Sequence, residues 1–447
     1  MRIHTLILLL LAGMTGFVRA EKQVFAHYMV CFATYGSSVE AYQREIVEAQ
    51  AAGVDGFALN VGAWSGPDWY YKARVKSIYD AAEGLNSGFK LFFSLELTNT
   101  VDLREILSTY GNRPNSLKKE GKTVVSTYGQ NNTKWAEEVF GPLKEQGMDF
   151  FFVPHFWPDP VQELPSYQDG KNILKKYGNL LDGLFLFGAA GMPHQLAQCN
   201  SNYARATREE GKLFMAGITP HYWGAGQEGI GRRYFEFHGG EGLELQWKGI
   251  IQSQPEWVEL VTWNDWNEST YFCPVDDPGK YFESIRNIKR HTHSGYMEFS
   301  KRYIQWFKTG VEPGIVRDEL YYSYRTHPKT AVVTNDSPVR WFIGDVQDTV
   351  YTTLLLTAPA SVEIFSGSSW TTNSAAAGIS HFRTGFLPGE QRFVVRRNGS
   401  VILSTQGPPI TAEPEKYNFF PTTGFAFAAP KIKPPENLRI EPGSSPN

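Results

Sequence analysis

Eight short apolar runs, separated by segments of helical length, dominate the first two thirds of the chain. Most of these runs are apolar nearly throughout, which is typical of parallel strands buried on both faces of a sheet. The intervening segments Val39–Ala52, Tyr70–Leu85 and Thr133–Gln146 have the pattern of helices. Strand–helix alternation repeated eight times predicts a (β/α)8 barrel of the TIM type over residues 24 to about 310. The predicted strands are Val24–Val30, Asp55–Val61, Lys90–Leu97, Lys122–Thr127, Asp149–His155, Asp182–Phe187, Lys212–Ile218 and Trp257–Trp263.

The pattern changes after about residue 325, where short runs show partial alternation and no helical period. Arg397-Asn398-Gly399-Ser400 lies between two of these runs and predicts a β-hairpin, because Asn-Gly suits a turn with positive φ angles. A β-sandwich of about 100 residues is therefore predicted. We expect it to support the barrel by packing against it, with sugar binding as the alternative. The runs are Val339–Asp345, Thr349–Thr357, Ser361–Phe365, Ile379–Arg383 and Phe393–Arg397.

The N-terminus has the pattern of a secretion signal. Arg2 and His4 precede the apolar stretch Leu6–Leu11, and Val18-Arg19-Ala20 places small residues at the cleavage positions. The apolar stretch is shorter than the roughly 20 residues that span a bilayer. We therefore expect a mature chain from Glu21, released to the extracellular space or the cell wall. The predicted division is a signal peptide at 1–20, a barrel at 21–325, a β-sandwich at 326–429 and a Pro-rich tail at 430–447.

Composition restricts the partners. The net charge is −3 at pH 7, so the chain lacks the basic excess that a nucleic-acid partner requires. Aromatic residues make up 14% of the sequence, with 12 Trp and 22 Tyr, and many of the Trp and Tyr lie near polar residues at the ends of runs. A large core is one explanation, and a carbohydrate-binding surface is the other. Composition leaves these two explanations open, and we expect a monomer with neither a nucleic-acid nor a membrane partner.

Three cysteines and several glycosylation sequons fit a secreted protein. If the first and last predicted strands are neighbours in a closed barrel, Cys31 and Cys273 are the preferred disulfide pair, which leaves Cys199 unpaired. A sequon also occurs at Asn267, where we expect no glycan because a glycan would fill a substrate pocket at the end of the last predicted strand. The other sequons are Asn131-Asn132-Thr133, Asn335-Asp336-Ser337, which Pro338 weakens, and Asn398-Gly399-Ser400.

Polar and aromatic residues gather where the predicted strands end. In a (β/α)8 barrel the C-terminal ends of the strands carry function, so these side chains are candidates for binding a substrate. Each has a structural alternative: a histidine bonded within the fold, a ring in the core, or, for Glu96, a carboxylate bonded to neighbouring side chains. Glu96 could equally hold a sugar hydroxyl or orient another acid. The candidates are His27, Tyr28, Asn60, Glu96, His155, Trp157, Asp159, His221, Trp223, Asn264 and Trp266.

Acidic residues at the starts of predicted strands have a different expected role. Asp55, Asp149 and Asp182 open their strands in similar Asp-Gly or Asp-Phe contexts. We expect them to form structural turns or caps on the face of the barrel opposite the substrate.

The segment Val261–Ser269 places two carboxylates, Asp265 and Glu268, just after the last apolar run, with Trp and Asn around them. Cleavage of a glycosidic bond requires such a pair, because one acid protonates the leaving oxygen while the other activates water or attacks. Flat indole rings beside them can stack on sugar faces. The segment therefore predicts a glycosidase site.

The chain resembles the fungal glycoside hydrolase family 71 enzymes, the endo-α-1,3-glucanases or mutanases, over nearly all of its mature length. The resemblance is carried by residues 24–30 (VFAHYMV), 55–60 (DGFALN), 153–156 (VPHF) and 263–269 (WNDWNES). It implies a barrel followed by a β-sandwich, cleavage of α-1,3-glucan with inversion, and Asp265 and Glu268 as the essential pair. Asp55 matches a family acid regarded as important, yet its position at a strand start indicates support of the fold.

Roles for the two acids follow from the chemistry of inversion. Residues three apart in a continuing strand point to opposite faces, so Asp265 and Glu268 must lie where the chain has turned out of the strand. The general acid needs a raised pKa, while the general base stays ionised among hydrogen-bond donors. We predict Glu268 as the acid and Asp265 as the base, because the longer side chain reaches a glycosidic oxygen more readily.

Three alternatives remain open at this stage. A metal-dependent barrel hydrolase could use His27, His155, His221 and Asp159, but no tight ligand spacing stands out, so we expect neither a metal nor another cofactor. A non-catalytic carbohydrate-binding protein could share the scaffold, although both acids are present. The substrate could also be another α- or β-glucan, since only the resemblance decides the linkage.

Overall fold

The structure is a computed structural model that describes residues 21–67, 70–129, 132–226, 231–275, 288, 290–336, 339 and 341–429. The predicted signal peptide (1–20), the Pro-rich tail (430–447) and the sequon at Asn131 lie outside the described residues. In the described ranges no helix is long and apolar enough to cross a membrane.

The N-terminal two thirds of the chain alternate strands with helices. The strands are β1 (Gln23–Met29), β2 (Gly56–Ala63), β3 (Lys90–Leu97), β4 (Lys118–Lys119), β5 (Lys122–Thr127), β6 (Phe150–Phe152), β7 (Gly183–Leu186), β8 (Leu213–Ile218), β9 (Arg233–Phe235) and β10 (Trp257–Leu260). The helices are α1 (Val39–Ala51), α2 (Tyr70–Leu85), α3 (Thr100–Tyr110), α4 (Asn132–Trp135), a π-helical turn (Ala136–Phe140), α5 (Gly141–Glu145), α6 (Tyr167–Tyr177), α7 (Pro193–Glu209), α8 (Gly240–Ser253) and α9 (Ser294–Thr309).

Eight of these strands form one curled, parallel sheet in the order β6-β5-β3-β2-β1-β10-β8-β7, with the short β4 antiparallel to β5. The first strand lies in the middle, paired to β2 on one side and to β10 on the other. At the two ends of this order, a parallel bridge joins His155, just after β6, to Phe185 in β7. Each of the eight predicted apolar runs overlaps one of these strands.

The curled sheet encloses a cluster of buried side chains that is distinct from the layer between the sheet and its helices. Every one of the eight strands contributes to this inner cluster, because side chains alternate between the two faces of a strand. Its members include Phe25, Ala58, Phe92, Val124, Phe151, Phe185, Met215 and Trp257. Residues at the alternate positions, such as Ala26, Phe57 and Phe93, pack outward against the helices.

Carboxylates at the strand starts fasten neighbouring strands together. Asp55 Oδ2 accepts a hydrogen bond from the Val24 amide (2.8 Å), and its other oxygen pairs with Lys308 (2.6 Å). Asp182 repeats the arrangement with the Phe152 amide (2.8 Å). These contacts lie at the end of the sheet opposite the acid pair, where a role in the fold was predicted for such residues.

The C-terminal part consists of two four-stranded antiparallel sheets, β16-β13-β11-β19 and β15-β14-β17-β18, whose facing sides share one hydrophobic cluster. The hairpin predicted at Asn398-Gly399 joins β17 to β18, and both residues have positive φ (51° and 79°). The strands are β11 (Glu319–Arg325), β12 (Trp341–Ile343), β13 (Thr349–Leu356), β14 (Ala360–Ser366), β15 (Ser369–Ala375), β16 (Gly378–Gly385), β17 (Gly389–Arg397), β18 (Ser400–Ile410) and β19 (Pro421–Phe427).

The sheet that contains β16 packs against the helices of the N-terminal part. His381 Nε2 lies 2.5 Å from Glu244 of α8, and Arg383 pairs with Glu241 (2.8 Å). Nearby, β12 pairs in parallel with β9, which is inserted between β8 and α8. The sheet that contains β14 therefore lies on the outer side of this C-terminal part.

The predicted disulfide between Cys31 and Cys273 is wrong, because all three cysteines are free thiols. Burial and then the charges of Asp265 and Glu96 raise the pKa of the Cys31 thiol to about 12, whereas burial and then the charges of Glu45 and Glu48 raise the pKa of the Cys273 thiol. The two sulfurs thus have different surroundings although their chain segments are close.

Candidate active site

The last strand of the curled sheet ends at Leu260, so both acids lie in the turn that follows it. The backbone of this turn is fixed at several points. The Trp263 amide donates to the His27 carbonyl of β1 (2.7 Å), and the Thr262 amide donates to the Thr270 carbonyl (2.8 Å). The acid pair is thereby held above the C-terminal edge of the sheet, beside its first strand.

Asp265 is almost fully buried, and backbone amides hold its carboxylate. Its Oδ1 accepts hydrogen bonds from the amides of Asn267 (2.8 Å) and Glu268 (3.1 Å), while its own amide donates to Thr262 Oγ1 (2.7 Å). Burial raises the pKa of Asp265 to about 6, and the two amides and His27 oppose that rise. Donors aimed at a carboxylate stabilise its ionised form, which suits a general base.

Glu268 extends from the same turn into a cavity. Its Oε1 accepts a hydrogen bond from the Tyr222 hydroxyl (3.2 Å), and its carbonyl accepts one from the Trp223 amide (3.0 Å). Burial and then the nearby Asp265 carboxylate raise the pKa of Glu268 to about 8. A carboxyl that keeps its proton near neutral pH can donate it to a leaving oxygen. The environment therefore separates the two pKa values in the direction that an acid and a base require.

The cavity holds about 140 Å³ and is lined by rings, small residues and charged groups. Of the predicted site residues, His155 and Trp157 line it together with Glu268. Burial lowers the pKa of His155 to about 4, so this imidazole is neutral at neutral pH. Residues that the sequence prediction missed are Tyr128, Glu163, Phe187, Tyr222 and Arg233.

A usable signal existed for only some of these missed residues. Tyr128 directly follows the predicted strand Lys122–Thr127, so the rule that found the other candidates would have found it. Tyr222 stands between His221 and Trp223, which were both selected. Arg233 begins the short inserted strand β9, and Glu163 lies in the connection between β6 and α6. The two form an ion pair, and neither carries a local sequence pattern.

Glu96 is a third carboxyl close to the pair. Burial raises its pKa, the Asn60 amide and His27 oppose that rise, and Glu96 in turn raises the pKa of Asp265. Glu96 and Asn60 therefore lie on the side of the site where Asp265 is. Of the two acids, it is Asp265 whose pKa Glu96 affects, and Asn60 acts on Glu96.

His27 lies beneath the site and not on its surface. Both His27 and Glu259 are fully buried, with His27 Nδ1 2.6 Å from Glu259 Oε1. The imidazole also packs edge-on against Phe187 at a centroid distance of 5.0 Å. Glu259 was missed, although a carboxylate in the middle of an apolar strand is a recognisable signal, because a buried charge needs a partner.

Two more candidates support the backbone. Tyr28 points toward α1, where its hydroxyl donates to Glu45 (2.8 Å). Asn264 binds the chain after β1, accepting from the Met29 amide (2.8 Å) and donating to the Phe32 carbonyl (2.5 Å). Both side chains are fully buried, and neither lines the cavity.

Four further candidates also lie outside the cavity lining. Trp223 packs against Phe420 at 4.9 Å, and Trp266 packs against Tyr271 at 4.4 Å. His221 is buried with its Nδ1 3.1 Å from Ser269 Oγ, and Asp159 is exposed. Within the described ranges, no group of three or more His, Cys, Asp and Glu side chains is placed to hold a metal ion.

Comparisons with known proteins agree on the family. Residues 20–433 match the family described as "Glycosyl hydrolase family 71". The chain is 28% identical to a glucan endo-1,3-α-glucosidase of Schizosaccharomyces pombe, covering 96% of this chain and 100% of that protein. It is 26% identical to a mutanase of Penicillium rubens, covering 87% and 84%. Among solved structures, a GH99 endo-α-mannosidase from Bacteroides thetaiotaomicron covers 64% of this chain and 98% of its own, at 15% identity and a TM-score of 0.49. The chain belongs to glycosyl hydrolase family 71.

Proposed function

We propose that this protein hydrolyses α-1,3-glucosidic bonds within α-1,3-glucan, with inversion at the anomeric carbon. The observation that carries the proposal is the turn after β10, which places Asp265 among amide donors and extends Glu268 into a cavity lined by rings. The linkage and the endo action rest on the names of the two fungal relatives, a glucan endo-1,3-α-glucosidase and a mutanase.

The reaction uses the two acids once each. Glu268 donates its proton to the glycosidic oxygen as the bond to the anomeric carbon breaks. Asp265 accepts a proton from a water that attacks the anomeric carbon from the opposite face, which forms the new C–O bond and inverts the configuration. The cycle closes when Glu268 regains a proton from solvent and Asp265 loses one.

Other residues of the site hold the substrate or tune the pair. Tyr222 and Arg233 lower the pKa of Glu268 and therefore stabilise the carboxylate that remains after proton transfer. Trp157 at the cavity wall is the candidate stacking surface for a sugar ring. Glu96 and Asn60 are candidates to hold a sugar hydroxyl or the attacking water next to Asp265.

We also propose that the eight parallel strands form a complete (β/α)8 barrel. Closure of the barrel is supported by the backbone bridge between His155 and Phe185. It is also supported by the inner cluster, to which each of the eight strands contributes side chains. The catalytic unit would then extend from residue 21 to the end of α9, with the β-sandwich following. The pairing of β11 (Glu319–Arg325) with β13 and β19 supports a domain boundary before residue 319, in place of the boundary predicted at 325.

Secretion, action at a cell wall and a monomeric state complete the proposal. Residues 2–20 have the composition of a signal peptide, and an insoluble wall polysaccharide can be reached only from outside the membrane. Secretion is tested by sequencing the N-terminus of the protein purified from the medium, which should begin at Glu21. The monomeric state is tested by the mass in solution, which should equal that of one chain.

The deciding experiment is a product assay on insoluble α-1,3-glucan, with β-1,3-glucan and α-1,4-glucan as parallel substrates. We expect α-1,3-linked oligosaccharides from the wild type, and a loss of at least about a thousandfold in Asp265→Asn and Glu268→Gln. Asp149→Asn is the matched control, because its side chain is 66% exposed at the far end of the sheet. The first product seen by NMR should be the β-anomer; an α-anomer would contradict inversion. Activity in either acid variant would contradict the site.

A further inference from the structure

A row of flat side chains crosses the outer sheet of the C-terminal part. Phe365 of β14 lies opposite Trp370 of β15 on one side and Arg392 of β17 on the other, and Arg392 lies opposite Gln406 of β18. We call these four residues the aromatic row. Four strands at about 4.8 Å spacing give the row a length of about 14 Å. All four side chains stand on the face turned away from the shared core, because Ile364 and Phe393 at the adjacent positions point inward.

The side chains of the aromatic row are exposed, apart from the half-buried Phe365, and they pack on one another. Trp370 is 62% exposed, which is unusual for an indole, yet its ring stacks on Phe365 at a centroid distance of 6.2 Å and an angle of 24°. The Arg392 guanidinium covers the Phe365 ring at 4.0 Å. Stacking of this kind limits ring motion, so a ligand that binds to the face would cost little side-chain entropy.

Hydrogen-bonding groups border the rings. The adjacent parallel row on the same face lies two residues away along each strand and contains Thr372, Glu363, the buried Val394 and Ser404. Arg396 neutralises Glu363 through an ion pair of 2.9 Å. A planar apolar surface with a rim of hydroxyl and amide groups complements a sugar ring, which has apolar C–H faces and a rim of hydroxyls.

We propose that the aromatic row is a second binding site for a glucan chain, separate from the catalytic cavity. A polysaccharide fits better than a protein partner, because the apolar area is confined to two rings and is surrounded by polar groups. The substrate class rests on the proposed function. An insoluble polymer offers many chains near any one cleavage site, so the row would keep the enzyme at the surface between cleavages and raise the effective concentration of bonds at the cavity.

The test measures adsorption to insoluble α-1,3-glucan in a Glu268→Gln background, so that the polymer is not consumed. We expect Trp370→Ala to weaken adsorption about tenfold, and Trp370→Tyr to retain most of it, because a phenol ring also stacks. Val401→Ala is the control: Val401 is 50% exposed on the same sheet but outside the row. Equal adsorption of Trp370→Ala and the control would overturn the proposal.

Activity measurements separate this proposal from the proposed function. With Glu268 restored, Trp370→Ala should cleave short soluble α-1,3-linked oligosaccharides at the wild-type rate, because these fill the cavity alone, and should cleave the insoluble polymer several-fold more slowly. Equal rates on the polymer would count against the row, while the catalytic assignment would stand. A wild type that adsorbs through Trp370 but cleaves no α-1,3-glucan would contradict the proposed function and leave the row as a binding site.

Discussion

The hydrogen bond from Tyr222 to Glu268 gives the sharpest test of which carboxyl is the acid. The substitution Tyr222→Phe removes the hydroxyl 3.2 Å from Glu268 Oε1 and keeps the ring in the cavity wall. A hydrogen bond to a charged group contributes about 1.5–3 kcal/mol. Because 3.2 Å is long for an O–H···O bond, we expect about 1 kcal/mol, which corresponds to about 0.7 pKa unit and about a fivefold change in rate.

The sign of the effect follows from the role of the acid. The hydroxyl stabilises the ionised carboxylate, so its loss raises the pKa of Glu268 further. An acid must be protonated, and the alkaline limb of kcat/KM against pH should therefore move upward by about 0.7 unit. The plateau rate should fall about fivefold, because the carboxylate formed during proton transfer loses a donor.

The assay is the pH profile of kcat/KM on a soluble α-1,3-linked oligosaccharide. Tyr167→Phe is the matched control, since it also removes a hydroxyl that donates to a carboxylate, Glu209, but at the protein surface and outside the cavity lining. We expect both limbs of its profile to stay in place. A shift of the acidic limb in Tyr222→Phe would refute the reasoning, because it would make Glu268 the base.

Three further outcomes follow from the buried charges. The wild-type profile of kcat/KM against pH should be bell-shaped. Protonation of Asp265 below about pH 6 removes the base, and ionisation of Glu268 above about pH 8 removes the acid. A plateau that continues through pH 9 would contradict the assignment. His27→Phe leaves Glu259 buried without its partner and should cost about 3–5 kcal/mol in urea unfolding, and a loss below 1 kcal/mol would show that the pair is not needed. Asp182→Ala removes the acceptor of the Phe152 amide and the partner of Lys144, so it should lower the free energy of unfolding by about 1–3 kcal/mol. Asp149→Ala breaks only an exposed pair with Lys122 and should lower it by less than about 1 kcal/mol. Equal losses in the two variants would contradict the role of Asp182 in joining neighbouring strands.

The strands of the curled sheet could be predicted from the sequence because burial on both faces affects every residue of a strand. A strand buried on both faces must be apolar along its length, and all eight predicted runs overlap strands of the sheet. The strands Glu319–Arg325 and Ser369–Ala375 were missed for the converse reason. Each has one face toward solvent or toward another layer, and the second is polar at most positions, so no continuous apolar run marks it.

The side chains of the site were harder to predict than the strands, because a strand end indicates the edge of the sheet but not the direction of a side chain. Tyr28 and His27 are neighbours in β1, yet one bonds to a helix outside the sheet and the other lies inside it. The tryptophans show the same limit. Trp223 and Trp266, which follow predicted strand ends, are buried. The exposed Trp370 lies in a polar stretch in which no strand or site was predicted.

The spacing of the two acids has a structural reason that links their separate roles. The amide of Glu268 donates to the carboxylate of Asp265, so the turn that directs Glu268 into the cavity also supplies a donor that keeps Asp265 ionised. Asp265 in turn raises the pKa of Glu268 by its negative charge. Each acid therefore sets the protonation state that the other needs. A longer spacing would remove this amide donor, and the same two residue types would then have pKa values closer together. This coupling explains why the three-residue spacing in Trp263–Glu268 was more informative than either acid alone.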